Sequence, residues 1–417
     1  MNVSLDYDKQ TTFMRCKHSF FTGQPIFSQL LTLIPRSMVS NLSRKHNSDR
    51  YCKKFKAYDH LVTMLYQGFF QCLSLRELTT GLQANAERLR HLGISNTPRR
   101  STIADANKRR SASFFEELYH SIYKLHFPVL PDSRPVSGKL YIVDSTTISL
   151  FSEIMKGAGT YGNDGRKKGG AKAHVLIDAE HNLPCFVRIT EARNSDVLFL
   201  RELQIPSGSI VVFDKAYINH RQFLQWDQQN TIWVTRQRID SSFHIERHNA
   251  VDQSSSQCGV IADQIIIMGR PSNGRISPLV KARRIIFKDP VSNKELIFIT
   301  NDLHAQPQQI ASIYKRRWQI ELLFKRIKQR YPLKYFLGDN VNAIHIQIWS
   351  ILICDLLVQI VMKSANNRRK QAWSYANISS MIKHHLMTYI QLARFLLNPE
   401  KALLNYAPMP ANGGTLF

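Results

Sequence analysis

Cysteine is scarce and scattered in this chain of 417 residues. The six cysteines are Cys16, Cys52, Cys72, Cys185, Cys258 and Cys354. They form no Cys-x-x-Cys pair and no regular series with histidine. The pattern argues against a zinc site and against a disulfide framework, and it favours reduced thiols in the cytosol.

Long apolar runs are lacking as well. The most apolar stretch, residues 348–362, contains Asp355 and Gln359 and is shorter than the roughly 20 residues that span a bilayer. It predicts a buried helix rather than a membrane span. Residues 1–10 are polar and have no apolar segment of a signal peptide, so we expect neither secretion nor a membrane partner.

Acidic residues are outnumbered by basic ones. The chain has 31 Asp and Glu against 56 Lys and Arg, which gives a formal net charge of +25. This excess predicts a polyanionic partner. By charge alone nucleic acid is the first candidate and a membrane surface the second, and nucleic acid is the partner that we expect. The length predicts two or three domains, and a hydrophobic content of 43% is ample for globular cores.

The first part of the chain has a helical pattern. Apolar runs such as "FSQLLTLI" and "LVTMLYQGFFQCL" alternate with polar segments between residues 27 and 130. Residues 74–82 and 93–110 have the spacing of a helix, a turn and a second helix, with Ser101 as its N-terminal cap. Two interpretations stay open, a helix at 101–110 that reads DNA and an ordinary small helical bundle.

Strand patterns begin after a linker at 128–138 that is rich in proline and serine. They are "KLYIVDSTTISLF", "KAHVLIDAE", "LPCFVRITEA" and "GSIVVFDKAY", followed by a strand-rich stretch from 231 to 300. Helical patterns return at Pro307 and continue to about Leu397. The order predicts a sheet-containing middle between helical terminal regions.

Two carboxylates follow apolar strand patterns. Asp144 ends the pattern in "LYIVDSTT" and Asp214 ends the one in "IVVFDKAY", which predicts both at the carboxyl edge of one sheet. A strand-terminal aspartate is common, so neither residue is decisive alone. With Glu321 they make three hard oxygen ligands suited to Mg²⁺ or Mn²⁺. Two such ions about 3.5 to 4 Å apart would stabilise the attacking and leaving oxygens of a phosphodiester displacement.

Glu321 lies in an otherwise basic stretch, "YKRRWQIELLFKRIKQR", which begins at Tyr314. If the stretch is one continuous helix, a single stripe of its surface carries Tyr314, Arg317, Glu321 and Lys328. Its apolar residues then point to the opposite side and pack against the protein. The alternative is a solvated face on which Arg317 and Lys325 pair with Glu321.

The spacing Tyr, two residues, Arg, three residues, Glu, six residues, Lys resembles the signature of the "IS-four" insertion-sequence transposases. The resemblance also covers "LYIVDSTT", "KKGGAKAHVLID", "VVFDKAY", "LIFITNDL" and the N-terminal stretch from "FSQLLTLIPR" to "SDRYCKKFKAYDHL". It spans nearly the whole chain. One departure follows Asp214, where the family more often has Asp-Arg-Gly-Tyr and this chain has Asp-Lys-Ala-Tyr. Alanine is tolerable there unless the backbone needs a positive φ.

The resemblance implies an α/β fold with a ribonuclease-H-like catalytic core, in which Asp144, Asp214 and Glu321 are the catalytic residues and the metal ligands. The large spacing between Asp214 and Glu321 matches the inserted β domain of that family. The predicted domains are a helical DNA-binding region at 1–135, the core at 136–236 and 301–340, an all-β insertion at 237–300, and a helical C-terminal region at 341–417.

Side chains suited to DNA phosphate surround the predicted triad. Arg317 suits bidentate phosphate binding, Lys328 a point-charge contact and Tyr314 a hydrogen bond. Lys172 is a further candidate DNA contact. It shares a strand face with His174, for which we favour a structural role.

Two tryptophans are candidates for stacking on an extruded base, Trp233 and Trp318. A core position is the more frequent role for either of them.

The hypothesis is a bacterial insertion-sequence transposase in the cytoplasm, associated with the nucleoid. It would bind double-stranded DNA at the terminal inverted repeats and at the target, hydrolyse a phosphodiester with two Mg²⁺ or Mn²⁺ ions, and transfer the freed 3′-hydroxyl. The resemblance implies a homodimer or larger assembly and leaves a hairpin intermediate open. Two rivals are a nuclease without strand transfer and a non-enzymatic DNA-binding protein derived from a transposase.

Overall fold

The computed structural model describes residues 23–127, 138–149, 170–191, 199–269, 271–272, 275–276, 278–333 and 335–404. The chain divides into two compact units, one from residues 1–129 and 330–417 and the other from residues 130–329. Apart from Gly138, the predicted linker at 128–138 lies outside the described residues, and so do the polar residues 1–10.

The helices follow the chain in this order: α1 (Ile26–Leu31), α2 (Arg36–Lys45), α3 (Ala57–Phe70), α4 (Leu75–Ala84), α5 (Ala86–Leu89), α6 (Arg100–Arg109), α7 (Ala112–His126), α8 (His220–Gln228), α9 (Gln253–Gln257), α10 (Pro307–Lys315), α11 (Trp318–Arg330), α12 (Val341–Asn366), α13 (Tyr375–His385), α14 (Leu392–Leu397) and α15 (Pro399–Leu404). Short 3-10 helices lie at Arg90–Leu92 and Lys215–Tyr217.

The strands are β1 (Leu140–Ser149), β2 (Gly170–Asp178), β3 (Leu183–Glu191), β4 (Ile210–Phe213), β5 (Ile232–Arg236), β6 (Phe243–Asn249), β7 (Val260–Met268), β8 (Pro271–Ser272), β9 (Arg275–Ile276), β10 (Val280–Lys288) and β11 (Glu295–Thr300).

The first unit is built around α12, which packs on α3, α6 and α7. The helix is buried along most of its length because nearly every side chain in "IQIWSILICDLLVQIV" is enclosed by its neighbours. At Gly68 a side chain would place Cβ only 2.7 Å from the Cys354 Sγ, so α3 approaches α12 closely through a glycine. The predicted buried helix is therefore confirmed.

The helix α12 is longer than the apolar stretch from which it was predicted. Among the described residues it is the one helix that is long and apolar enough to cross a membrane, judged by length and composition. However, 89% of its most apolar window is buried inside the protein. This burial is typical of the core helix of a globular unit.

The predicted cap at Ser101 is wrong. Helix α6 begins at Arg100. The N-cap residue is Arg99, whose backbone is extended and whose side chain makes no capping hydrogen bond. Ser101 lies in the first turn and is exposed. Between α4 and α6 lie α5 and a 3-10 helix, so the connection is longer than a simple turn.

The second unit contains a nine-stranded sheet in the order β3-β2-β1-β4-β5-β11-β10-β7-β6. The β1–β4 and β4–β5 pairs are parallel, and the other pairs are antiparallel. The four long strands between residues 243 and 300 continue this one sheet, because β11 pairs directly with β5. The unit is thus a mixed α/β structure with one large mixed sheet, and the predicted domain boundaries stay predictions.

Each face of the sheet has its own covering. On one face Val143, Phe213 and Trp233 belong to an apolar cluster that includes Phe223 and Trp226 of α8. The other face is covered by α10, which packs on β4, β5 and β11. Successive side chains of a strand point to opposite faces, so the residue after Val143, Asp144, points to the face that α10 covers.

Candidate active site

The parallel pairing of β1 with β4 brings Asp144 and Asp214 together. The last paired residues are Val143 and Phe213, and each aspartate is the next residue along the chain. The sequence placed Asp144 at the end of a strand, whereas β1 continues to Ser149 because β2 pairs with it along that whole length. The short strand β4 ends at Phe213, and the carboxyl end of β4 is the sheet edge at which the two aspartates lie.

Burial and like charges act on the Asp144 carboxyl. Burial, and to a smaller degree the carboxylates of Asp214 and Glu321, raise its pKa to about 6 against the lowering effects of the Ser145 amide and Arg317. The Ser145 N–H donates to Asp144 Oδ1 at 2.8 Å. The three carboxylates therefore lie close enough to act on one another electrostatically.

Asp214 follows β4 and caps the 3-10 helix that begins at the next residue. Its Oδ1 accepts the Ala216 N–H at 3.0 Å, which holds the carboxylate at the sheet edge. The backbone of Ala216 does not have a positive φ. Alanine therefore fits here without strain, and the departure from the family pattern costs nothing in backbone geometry.

The stretch that carries Glu321 is not one continuous helix, so the helix predicted from Tyr314 onwards is interrupted before Trp318. Helix α10 ends at Lys315 and α11 begins at Trp318. Between them the Arg317 N–H donates to the Tyr314 carbonyl at 3.0 Å and the Gln319 N–H to the Arg316 carbonyl at 2.9 Å. These are the tighter bonds of a 3-10 turn, which rotates Tyr314 relative to the residues of α11.

The apolar side of α11 was predicted correctly. Ile320, Leu323 and Ile327 are buried and anchor the helix. Glu321 lies in its first turn, where the helix dipole stabilises a negative charge.

Arg317 connects the sheet to α11. Its Nη1 donates to Asp144 Oδ2 at 3.0 Å and its Nη2 to Glu321 Oε1 at 2.5 Å. The guanidinium carbon lies 5.8 Å from the centre of the Tyr314 ring. One positive charge thus joins two of the three predicted metal ligands.

Tyr314 is buried beside this group. Its ring packs against Phe298 with centroids 5.1 Å apart, and burial raises the pKa of its hydroxyl against a lowering effect of the nearby Arg317. Within the described residues, the Tyr314 hydroxyl and the Arg317 Nε have no hydrogen-bond partner of good geometry. The Arg317 side chain nevertheless lies close enough to the Tyr314 hydroxyl to lower its pKa as a hydrogen-bond donor, so the two groups pair with each other in poor geometry.

Comparison with known proteins identifies the family. The model of the family described as "Transposase DDE domain" matches residues 137–357, a little more than half of the chain. The chain belongs to the DDE transposase family. A second model, "Domain of unknown function (DUF4372)", matches residues 22–95 of this transposase.

Relatives agree with this assignment. "Putative transposase y4zB" of Sinorhizobium fredii is 29% identical over 268 residues, 64% of this chain and 72% of that protein. "Putative transposase for insertion sequence element IS4SA" of Synechocystis is 23% identical over 335 residues, 78% of this chain and 89% of that protein. The protein is thus an insertion-sequence transposase, an enzyme of the metal-dependent polynucleotidyl transferase and endonuclease class.

One solved structure has a weak structural similarity to this chain. "Cryo-EM structure of piggyBac transposase synaptic complex with hairpin DNA (SNHP)" covers 94% of this chain and 85% of that chain, with a TM-score of 0.44 and 8% identity. The score is too low to support an argument about this transposase.

The two other predicted contact residues, Lys172 and Lys328, differ in position. Lys172 of β2 pairs with Thr147 of β1. Thr147 is three positions after Asp144 in the same strand, so Thr147 and its partner Lys172 point to the face opposite to that of Asp144. Lys328 is exposed near the end of α11. The structure therefore brings Tyr314 and Arg317 to the carboxylates, and it does not bring Lys172 to their face.

His174 is a structural residue of the transposase. It is buried, its Nε2 lies 2.9 Å from Thr190 Oγ1, and its ring stacks on Phe199. This is the role that the sequence favoured.

The two tryptophans differ in exposure. Trp233 is fully buried and stacks on Phe223 with ring centroids 4.1 Å apart, so it is a core residue. Trp318 is 58% exposed at the start of α11. Of these two, only Trp318 has the exposure that stacking on a base requires, and that role stays a prediction.

Sequence reasoning missed an acidic cluster at the turn between β2 and β3. Ligand atoms of Asp178, Glu180 and His181 lie within 4.8 Å of one another. The Glu180 N–H donates to Asp178 Oδ1 at 2.8 Å, and His181 Nδ1 lies 2.9 Å from Asp178 Oδ2. Both oxygens of Asp178 thus hold the turn together. The available signal was the run Asp-x-Glu-His at a strand end.

Divalent metal use is general to the DDE family. Among the described residues, the ligand atoms of Asp144, Asp214 and Glu321 do not all lie within 4.8 Å of one another as those of Asp178, Glu180 and His181 do, but the chemistry of the three carboxylates suits such an ion. Asp144, Asp214 and Glu321 supply hard oxygen ligands, and the proximity of the other two carboxylates contributes to the raised pKa of Asp144. A divalent cation would relieve that repulsion. These three residues are therefore candidates to hold it.

Proposed function

We propose that this chain is a transposase of the "IS-four" group that cuts the ends of its element and joins them to a target. The observation that carries the proposal is the convergence of three carboxylates and one arginine from distant parts of the sequence, at the edge where β4 ends.

The catalytic roles follow from the chemistry of these side chains. Asp144, Asp214 and Glu321 would hold Mg²⁺ or Mn²⁺, two ions in all, which activate water and stabilise the leaving oxygen of a phosphodiester. The protein supplies the rigid placement: two adjacent parallel strands fix the aspartates, and the buried side of α11 fixes Glu321. Such placement of reacting groups is itself a large part of rate enhancement.

DNA phosphate is the proposed partner of the Tyr314–Arg317 pair. Support comes from two buried polar atoms that make no hydrogen bond of good geometry in the described residues, the Tyr314 hydroxyl and the Arg317 Nε. A phosphate oxygen accepts hydrogen bonds from both. Lys328, exposed on α11, and Lys172, on the other sheet face, are proposed to contact other parts of the DNA.

The helical unit is proposed to bind the element end through α6. Its Ile103 and Ala106 are buried, whereas Arg100, Lys108 and Arg109 are exposed. A helix with one packed side and a basic exposed side suits insertion into a DNA groove. Contacts from these side chains to phosphate make binding strongly salt-dependent.

The sheet order supports a ribonuclease-H-like core. Strands β3, β2 and β1 are antiparallel neighbours, and β4 and β5 continue in parallel from β1. The strands after residue 236 would then be the insertion, and the proposed domains are 1–135, 136–236 with 301–340, 237–300 and 341–417. A homodimer or larger assembly on two DNA ends, in the bacterial cytoplasm, completes the proposal.

One assay tests the function. Purified full-length protein is incubated with Mg²⁺, a plasmid target and DNA that carries the inverted repeats flanking its gene. We expect cleavage at the repeat ends and covalent joining of those ends to the target. Cleavage without joining would support the nuclease alternative, and binding without cleavage the non-enzymatic one.

A further inference from the structure

Arg317 occupies the oxygens that a metal ion would need. Its two terminal nitrogens contact Asp144 Oδ2 at 3.0 Å and Glu321 Oε1 at 2.5 Å. Arg317 and Asp144 are largely withdrawn from water, with 16% and 18% of their side chains exposed, and Glu321 is 34% exposed. At such a site the contacts are strong, because little solvent screens them.

A guanidinium and a divalent cation compete for these two carboxylates. The two cations repel each other, and a metal ion on Asp144 and Glu321 would draw on the same carboxylate charge that holds Arg317. Metal binding at Asp144 and Glu321 therefore competes with the Arg317 contacts. Competition of this kind lowers the apparent metal affinity of the DNA-free protein.

DNA can remove the competitor. Arg317 is always charged and binds phosphate through its planar fork. In the described residues neither its Nε nor the neighbouring Tyr314 hydroxyl makes a hydrogen bond of good geometry, although the two side chains lie close enough to interact. A phosphate placed there gives Arg317 a new anionic partner, and the carboxylate oxygens then become available.

We infer that Arg317 exchanges partners during assembly: it neutralises Asp144 and Glu321 in the DNA-free protein, and it moves to a DNA phosphate when the element end binds. Metal loading is thereby coupled to DNA binding, and the free protein is kept from cutting. The inference rests on the proposed function of this same site. Because coupling is reciprocal, metal also tightens DNA binding.

The test measures metal affinity, not cleavage. Mn²⁺ binding to the full-length protein is followed by the electron paramagnetic resonance signal of free Mn²⁺, with and without a duplex of the inverted-repeat end. Without DNA, Arg317→Gln is expected to bind Mn²⁺ about tenfold more tightly than wild type, within the usual range of coupling between sites. Adding the duplex should tighten Mn²⁺ binding by wild type and have little effect on the variant.

The control is Lys325→Gln, which removes a positive charge from an exposed position of the same helix. Equal gains in Mn²⁺ affinity for both variants would mean a general charge effect and overturn the inference. So would an Arg317→Gln protein that binds Mn²⁺ no better than wild type. If that variant does not fold, Arg317→Lys replaces it, because lysine keeps the charge and loses the fork that contacts both carboxylates; it too should bind Mn²⁺ more tightly.

A further variant separates this inference from the proposed function. Asp144→Asn should lose Mn²⁺ binding with and without DNA. If it binds Mn²⁺ as wild type does, the metal site lies elsewhere and the proposed function fails together with the inference. If Asp144→Asn loses Mn²⁺ while Arg317→Gln behaves as wild type, the proposed site stands and the exchange of Arg317 is overturned.

Discussion

The Asp144 carboxylate and the Arg317 guanidinium lie 3.0 Å apart, although 173 positions separate the two residues in the chain. This contact fixes the 3-10 turn between α10 and α11 against the sheet. Arg316, the other residue of that turn, donates to the Ala179 carbonyl at 3.0 Å. The turn therefore sets where α11 begins and where Glu321 lies.

The triad can be tested by substitution. Asp144→Ala, Asp214→Ala and Glu321→Ala should each abolish cleavage and, in the absence of divalent metal, leave binding of element-end DNA nearly intact, because each change removes a proposed metal ligand and no apolar core contact. Cleavage and band-shift assays on the same preparations measure both properties. Glu180→Ala is the control, since it removes an exposed carboxylate of the other acidic cluster. Cleavage at the wild-type rate by a triad variant would remove that residue from the site.

Lys328 separates a DNA contact from a merely basic surface. Lys328→Ala should reduce cleavage or pairing of ends by about tenfold or more, with no comparable loss of thermal stability, because an exposed charge contributes at most about 1 kcal/mol to folding. Arg326→Ala is the comparison, because two positions along a helix turn a side chain by about 200°. Equal losses of cleavage in both variants would count against a specific role for Lys328.

The helical unit should not fold from its N-terminal part alone. Tyr119 and Trp349 pack with ring centroids 5.6 Å apart, and the Asn342 side chain accepts the Ala112 N–H at 3.0 Å. A fragment of residues 1–135 lacks α12 and exposes the apolar surfaces that α12 covers. Circular dichroism should show reduced helix content or aggregation, and co-expression with residues 330–417 should restore folding. A well-folded isolated fragment would contradict this prediction.

Arg283 and Asp263 form a buried ion pair in the sheet. Arg283 Nη2 lies 2.7 Å from Asp263 Oδ2, and both side chains are almost fully buried. Arg283→Met should lower the free energy of unfolding by about 3 to 5 kcal/mol, because it leaves the Asp263 charge unpaired. Urea denaturation measures the change.

The same strand offers a matched control for that pair. Lys281 lies 2.6 Å from Glu246, but both side chains are about half exposed. Lys281→Met should therefore cost less than about 1 kcal/mol. Similar losses in the two variants would show that burial does not decide the strength of these pairs.

His60 should make the helical unit sensitive to acid. It is fully buried against Asn107, with 2.8 Å between His60 Nε2 and Asn107 Oδ1, and burial lowers its pKa from 6.5 to about 3. The unfolded chain therefore takes up this proton more readily than the folded one. Stability should fall as the pH drops below about 6.5, by up to about 1.4 kcal/mol per pH unit, and this effect should end near pH 3.

The pH dependence of unfolding measures this contribution. His60→Gln should flatten the curve between about pH 6 and 4, roughly the window in which only the unfolded histidine is protonated. His91→Gln, a change at an exposed histidine of the same unit, should leave the slope unaltered. An unchanged slope in His60→Gln would show that other groups cause the acid sensitivity.

Several features could be read from the sequence because they depend on short stretches of chain. Pro307 starts α10 as its fixed φ favours, and Ile320, Leu323 and Ile327 are buried as their helical spacing predicts. The apolar runs before Asp144 and Asp214 form parallel neighbours. Periodicity and propensity act over a few residues, and these features need nothing more.

Other features depended on contacts between distant segments. The face to which Lys172 points is set by the register of β2 on β1, and a shift of one residue would reverse it. The 3-10 turn at Arg316 and Arg317 interrupts a stretch with an unbroken helical pattern, and its side chains contact Ala179 and Asp144. Local propensity is too weak to decide such details against tertiary packing, because each residue contributes only a few tenths of a kcal/mol to about 1 kcal/mol.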